Sequence, residues 1–376
     1  MVRIKFAEDF SEQPANIRVI GLGGAGGNAV NRMIEAGVSH VEFIAANTDS
    51  QALRRSLAPV RIQLGERLSK GLGVGGNPVL GRQAAEESRE HIREVLSGAD
   101  MVFITAGMGG GTGTGAASVV AEAVRSLSPT PLVVGVVTRP FEFEGLVRKN
   151  QADLGIKELR SHVDTLLAIP NERLFEIIDE KTSALEAFRV ADNVLRQAVQ
   201  AITDVITRHG VINVDFNDVR SIMSGAGEAL MGMGEGHGKD RALTAAKQAI
   251  HSPLLENVSI DGAKGVLVNV SGNEKVTMME VRNAMDYIKN AASPNAHVFY
   301  GHVMDNSLED RLLVTVIATG FPPVRTLGGQ KRRGRDVAEA AVSHGGSRIS
   351  PSGEVLPESD LRRPAYLRWK LRKLHG

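Results

Sequence analysis

The chain has no cysteine, so disulfides, thiolate metal sites and cysteine nucleophiles are excluded from the start. It has no strong charge of either sign. Its 44 Lys and Arg are balanced by 43 Asp and Glu, a net charge of +1, which gives no electrostatic reason to expect nucleic acid as a partner. No apolar run reaches the ~18 residues of a membrane-spanning helix. The stretch from Met1 to Pro14 is polar and charged, unlike the apolar core of a signal peptide, and the expectation is a cytoplasmic protein. The pattern G-x-x-x-x-G-K-[ST] occurs nowhere, which removes the P-loop and its phosphate-neutralising lysine. No internal repeat is found. With 376 residues, 42% of them hydrophobic, there is material for one large or two ordinary domains. The excess is in glycine: 41 of 376, about 11% against a usual ~7%, gathered in clusters.

Ile17 to Gly21 reads as a buried strand entering a glycine turn, with helical spacing from Asn28 to Ala36. Further strands are expected at Val41 to Ala46, Met101 to Ala106, Leu132 to Val137 and Thr165 to Ile169, with an apolar helix through Val119 to Val124. Apolar strands alternating with helices imply a parallel sheet covered on both faces, an α/β fold of Rossmann-like type. Its ligands bind beyond the carboxyl ends of the strands, where the glycine turns fall. A long helix begins near Ser183, where Ser183 and Glu186 form an S-x-x-E capping box. Leu185, Phe188, Ala191, Leu195, Ala198, Ile202 and Val205 recur on one face of it, and Gly210 is a plausible end. Beyond it, helices near Ala242 to Ala249 and Met278 to Ala291, with strands at Val266 to Val270, His297 to Tyr300 and Leu312 to Ala318, describe a smaller α+β unit with its own mixed sheet. From about Pro322 to Asp360 the composition is that of a linker. The last segment, Asp360 to Gly376, interleaves apolar residues with Arg and Lys.

Two glycine clusters carry chemistry. Gly21-Leu22-Gly23-Gly24-Ala25-Gly26-Gly27-Asn28 lets backbone approach a phosphate and opens a helix whose first N–H groups are free. It also fits G-x-G-x-x-G, leaving open both a tight turn without ligand and an NAD-dependent dehydrogenase. The dehydrogenase reading wants an acid closing the second strand, and Asp49 lies beyond a polar turn instead. Gly109-Gly110-Gly111-Thr112-Gly113-Thr114-Gly115 is more specific. Five glycines in seven residues bare the backbone amides, and two threonines add hydroxyls. That suits a polyphosphate, at an entropic cost a mere linker has no reason to bear.

This second loop resembles the signature loop of the tubulin/FtsZ family, and in its bacterial cell-division style the likeness runs from Ile17 to about Phe321. Further matches follow in order: Asn47-Thr48-Asp49, Gly71-Leu72-Gly73-Val74-Gly75-Gly76-Asn77-Pro78, Thr138-Arg139-Pro140-Phe141, Glu144-Gly145 with Arg148, Ile169-Pro170-Asn171, Phe188 with Ala191-Asp192-Asn193, and Asn213-Val214-Asp215-Phe216-Asn217-Asp218. The resemblance implies a GTP-binding domain at 14–182 after a flexible arm at 1–13. A central helix at 183–209, a second domain at 210–321, a disordered linker at 322–359 and a partner-binding tail at 360–376 complete the chain. It implies that Gly24, Ala25, Gly26, Gly27 and Asn28, with Gly110, Gly111 and Thr112, cradle phosphates. Gly113, Thr114 and Gly115 complete that loop. Asn47, Asp49, Thr138 and Pro140 also join the nucleotide site. Gly75, Gly76 and Asn77 close over the γ-phosphate side, and Glu144, Arg148 and Asn171 face the ribose. Phe188 and Asp192, at i and i+4 on one helix face, meet the base. A carboxylate there accepts from guanine's N1–H and N2–H₂ edge, which adenine lacks. The residues alone leave simpler readings open: a core Phe188, a solvated Asp192, and an i,i+4 ion pair between Glu144 and Arg148.

The same resemblance implies GTP hydrolysis in a head-to-tail polymer, with Asn213, Asp215 and Asp218 completing the neighbouring subunit's site. It also implies a magnesium ion held through the phosphates, with a monovalent cation as a further candidate and no metal site made of side chains. The residues alone equally allow Asp215 as an N-cap for a helix from Asn217 to Met223. Within Leu361 to Leu367, the residues Leu361, Pro364, Ala365, Tyr366 and Leu367 resemble the family's carboxyl-terminal peptide, which docks membrane-tethering and regulatory cell-division proteins. The basic extension suits weak contact with anionic lipid. The expected place is the cytoplasm, concentrated at the mid-cell ring beneath the inner membrane. Leu146-Val147 stands where many relatives carry two lysines, and the linker is short for the family. A non-hydrolysing nucleotide-dependent scaffold remains the alternative from outside the enzymes.

Overall fold

A computed structural model describes residues 15–179, 181–208, 212, 214–255 and 260–321. Asn213, Gly210 and the whole tail with Leu361, Pro364, Ala365, Tyr366 and Leu367 lie outside the described residues.

The chain opens with β1 (Ile17–Leu22), α1 (Gly23–Glu35), β2 (Val41–Asn47), α2 (Ser50–Arg54), β3 (Val60–Gln63), α3 (Glu66–Ser69), α4 (Pro78–Glu87) and α5 (Arg89–Leu96). It continues with β4 (Met101–Gly107), α6 (Thr112–Arg125), β5 (Leu132–Arg139), α7 (Leu146–Arg160) and β6 (Thr165–Pro170). The helix α8 (Ala184–Thr207) leads to α9 (Phe216–Met223), β7 (Gly227–Gly236), α10 (Arg241–Ile250), β8 (Gly265–Gly272), α11 (Met278–Ala291), β9 (His297–Met304) and β10 (Leu312–Thr319).

The strands form one sheet in the order β3-β2-β1-β4-β5-β6-β7-β10-β8-β9. The first six are parallel to one another, and β10 runs antiparallel to both β7 and β8. The second sheet expected from the sequence is therefore continuous with the first, joined by a three-residue parallel pairing of β6 and β7. Alternation within strands sorts side chains onto the two faces. Ile17, Val19, Met101 and Phe103 pack with α1 and α8, whereas Ile20, Leu22, Val102 and Ile104 pack with residues of α4 to α7. A third cluster joins α10 and α11 to β8 and β10.

Ser183 caps α8, its hydroxyl accepting from the N–H of Glu186 at 3.2 Å. The return half of the expected capping box is not made, because the Glu186 carboxylate turns to Arg189. From Ala191 onward the apolar face of α8 is buried, but Leu185 is exposed and Phe188 is 42% exposed. The Leu185 and Phe188 side chains at the start of this helix thus stand clear of the core, while Ala187 between them stays buried in it.

Candidate functional site

Strand β1 has β2 on one side and β4 on the other, so the chain reverses its winding direction there. The loops after β1 and β4 open a crevice at that switch point. Both glycine clusters lie in it. Gly23 starts α1 with φ +70, a left-handed conformation, and a Cβ there would stand 3.0 Å from the Gly113 N. The amino ends of α1 and α6 are thereby brought together. Neither helix has a side-chain cap or an acidic residue in its first turn. Their leading N–H groups and positive dipole ends converge on one space, which is what an anion requires.

That space is a cleft of about 270 Å³ lined by Gly24, Ala25, Gly110, Gly111, Thr112, Gly113, Thr138, Pro140, Glu144, Arg148, Asn171, Phe188 and Asp192, among others. Gly27, Asn28, Asn47 and Asp49 line an adjoining hollow that shares Gly23 and Gly24 with it. Gly75, Gly76, Asn77, Thr114 and Gly115 line a third, larger groove of about 650 Å³. Loop 71–77 seats directly on the phosphate loop: a Cβ on Gly111 would lie 2.8 Å from the Asn77 N. Gly26 differs from its neighbours. A side chain there would collide with the Thr105 carbonyl of β4, so close helix-to-sheet packing requires glycine at position 26.

Several of these residues hold the site as well as line it. Asp49 caps α2, accepting from Gln51 N–H at 2.8 Å, and Asn77 caps α4, accepting from Val79 N–H at 2.9 Å. The Thr114 hydroxyl accepts from Gly109 N–H at 2.8 Å and pins the turn into α6. Glu144 accepts from Phe141 N–H at 2.9 Å and pairs with Arg148, so the ion pair read from the i,i+4 spacing is present on the wall of the cleft. Among the described residues, Arg148 is the only basic side chain lining it. Phe188 packs edge-on against Phe141 with centroids 5.4 Å apart, leaving much of its ring open to the cleft.

The deep wall carries two buried polar groups. Asn171 is 5% exposed, and its Oδ1 meets no hydrogen-bond partner among the described residues. Asp192 is 9% exposed, which removes the solvated reading. Desolvation pushes its pKa up to about 6, and Arg32 of α1, 3.5 Å away, offsets part of that. An orphaned acceptor and a dehydrated carboxylate beside an aromatic ring are equipped to take hydrogen bonds from a planar donor edge. Arg32 was not legible as a site residue, since nothing in its local spacing marks it.

The acidic pair lies elsewhere. Asp215 is the N-cap of α9, its Oδ1 accepting from Asp218 N–H at 2.8 Å, so the capping reading holds. Helix α9 is fastened to the amino end of the sheet: Arg220 donates to the Thr130 carbonyl at 3.3 Å, and the Thr165 hydroxyl donates to the Met223 carbonyl at 2.5 Å. The cleft lies at the opposite ends of those same strands. Eight residues of β5 at ~3.3 Å each put about 25 Å between them.

Residues 16–179 match the Tubulin/FtsZ family GTPase domain, and residues 227–322 match the FtsZ family C-terminal domain. An FtsZ dimer from M. jannaschii is 44% identical, with 82% of this chain and 89% of that one covered and a TM-score of 0.79. A variant of the same M. jannaschii protein gives 45% identity, 82% and 92% coverage and a TM-score of 0.79. CetZ2 from Haloferax volcanii, solved as a GTPγS-bound protofilament, shares the fold at 20% identity, with 82% and 94% coverage and a TM-score of 0.71.

Proposed function

Because this chain belongs to the tubulin/FtsZ family of GTPases, we propose that it hydrolyses GTP at a site that two subunits complete between them, in a head-to-tail filament. The observation that carries this reading is the separation of cleft and acidic pair. The cleft's open helix ends and the buried Asp192 suit a nucleotide, and Asp215 and Asp218 are not among the residues that line it. Asp215 and Asp218 stand at the far end of the same sheet, from which a second copy stacked in the same orientation would present them to the cleft. Such a heterologous contact does not close on itself and propagates as a filament.

In this reading the triphosphate lies along the starts of α1 and α6, with Gly75 to Asn77 on the γ-phosphate side. The guanine base lies against Phe188, with its N1–H and N2–H₂ directed at Asp192, and Asn171, Glu144 and Arg148 stand toward the ribose. The neighbour's Asp215 and Asp218 orient water and take its proton as its oxygen bonds to the γ-phosphorus and the bond to the β–γ bridging oxygen breaks. Among the described residues no three His, Asp or Glu gather as a metal site. A magnesium ion would be held by the nucleotide's own phosphate oxygens rather than by side chains, and would supply neutralisation of the phosphate charge. A monovalent cation is a further candidate with no assigned ligands.

The cellular role that follows is cytokinetic. Filaments at the mid-cell ring beneath the inner membrane would be tethered through Leu361, Pro364, Ala365, Tyr366 and Leu367 to membrane-anchored division proteins. No described helix is long and apolar enough to cross a membrane. The dehydrogenase alternative is disfavoured by Asp49, whose carboxylate is occupied as a helix cap. The scaffold alternative shares the cleft but not turnover.

The test is phosphate release from GTP and from ATP as a function of protein concentration. The expected result is a rate per subunit that rises steeply above a threshold, with GTP only. A rate per subunit that stays flat with concentration would refute the shared site, and bound guanine nucleotide with no release would favour the scaffold.

A further inference from the structure

Thr48 lines none of the hollows of the site. It follows the last residue of β2 and is 0% exposed. Two polar contacts leave it in different directions. Its hydroxyl lies 2.7 Å from the hydroxyl of Thr112, the first residue of α6, where either oxygen is able to donate. Its carbonyl accepts from the N–H of Gly73 at 3.1 Å, in the loop that seats on the phosphate loop. One buried residue therefore touches both segments that approach the phosphates.

Proton counting settles the direction of the hydroxyl pair once an anion is present. A threonine hydroxyl has a single proton, and a phosphate oxygen only accepts. Thr112 lines the cleft; where it gives its one proton to a phosphate there, the hydrogen between the two threonines is Thr48's. Resting on the reading of the cleft as a guanine-nucleotide site, we propose that Thr48 is a positioning residue. It donates to Thr112, thereby aims the Thr112 proton at the phosphate, and through its carbonyl keeps loop 71–77 in register with that bond. Such a chain polarises along its length, and the terminal donor to the anion gains most.

The test is equilibrium binding of GTP, GDP and guanosine to the wild-type chain and to Thr48→Val, which keeps the shape and deletes the donor. Both nucleotides should bind about tenfold more weakly, the scale of one charge-assisted hydrogen bond, with guanosine unchanged within about twofold because it lacks the phosphates. Thr48→Ser should restore nucleotide binding. Thr112→Val should lose as much as Thr48→Val, and the double variant no more than Thr112→Val alone. A parallel loss for guanosine, or losses that add in the double variant, would make Thr48 a structural residue and overturn the proposal. Should Thr48→Val not fold, the pair Thr48→Ser and Thr48→Ala carries the same contrast, since both lack the methyl and only the second lacks the donor. Equal affinities in that pair overturn the proposal. A wild-type chain that binds no guanine nucleotide overturns the underlying reading instead, and shows it before any variant is made.

Discussion

Burial strips water from the Asp192 carboxylate, and Arg32 returns only part of the loss, so its pKa is pushed up to about 6 from 3.8. The sign of the consequence differs with and without ligand. In the empty protein the folded state holds this proton more tightly than the unfolded chain does. Its stabilising contribution is complete below about pH 4 and is lost as pH rises through about 6. At pH 7.5 the ionised form costs up to about 3 kcal/mol, taking 1.36 kcal/mol per unit. Asp192→Asn should therefore raise the melting temperature of nucleotide-free protein at pH 7.5 and raise it only about half as much at pH 5, as thermal melts would show. Taking the difference between variant and wild type cancels Asp204, also shifted upward by burial, and His302, shifted downward. Guanine binding should run the other way. Protonation turns one of the two acceptor oxygens into a donor, so GTP affinity of the wild type falls as pH drops through 6, while the Asp192→Asn variant binds weakly at every pH. A wild-type affinity that is flat from pH 7.5 to 5 would remove Asp192 from base recognition. The carboxylate itself was legible from its i,i+4 spacing to Phe188, but its state was not. Arg32 and the burial that sets the pKa come from α1 folding back across α8, a relation no local pattern records.

Strands packed on both faces announce themselves by continuous apolar runs, which is why β1, β2, β4, β5 and β6 were readable to within a residue or two at their ends. Strand β7, Gly-Glu-Ala-Leu-Met-Gly-Met-Gly-Glu-Gly, was not, because four glycines in ten residues look like a loop. Their period is the missed signal. Gly232, Gly234 and Gly236 alternate, so they share one face, and α10 lies on that face backbone to backbone. A methyl at Gly234 would collide with the Ala245 carbonyl and stand 2.5 Å from the Ala249 N. Gly234→Ala should lower stability by about 2 kcal/mol, as overpacking does, and leave nucleotide affinity unchanged, because this strip is remote from the cleft. Gly24→Ala should do the reverse. A Cβ there meets nothing within 4 Å, so the melt should hardly move, while the methyl intrudes where phosphate approaches and GTP binding weakens severalfold. Melts and binding isotherms on the two variants separate the glycines that build the sheet from those that build the site.

The proposed site, split across the two ends of one sheet, makes a prediction that no enzyme with its whole site in one chain shares. Let one variant be disabled in the cleft by Gly111→Val, whose side chain would press on the Asn77 backbone, and another in the acidic pair by Asp215→Ala with Asp218→Ala. Alone, each should release little phosphate, since every contact in its filament lacks one half of the site. Mixed in equal amounts, a sound cleft from the second variant meets a sound acidic pair from the first at about a quarter of randomly formed contacts. GTP turnover should therefore reappear at roughly that fraction of the wild-type rate, and should fade on dilution below the threshold for assembly. Pelleting of polymer from each variant and from the mixture guards against a variant that no longer assembles. If the Asp215→Ala, Asp218→Ala variant assembles and turns over normally by itself, the acidic pair is only the cap that its hydrogen bond to Asp218 N–H shows it to be. If polymer forms in the mixture and turnover stays absent, cleft and acidic pair do not meet across the contact, and the filament is a scaffold that happens to bind nucleotide.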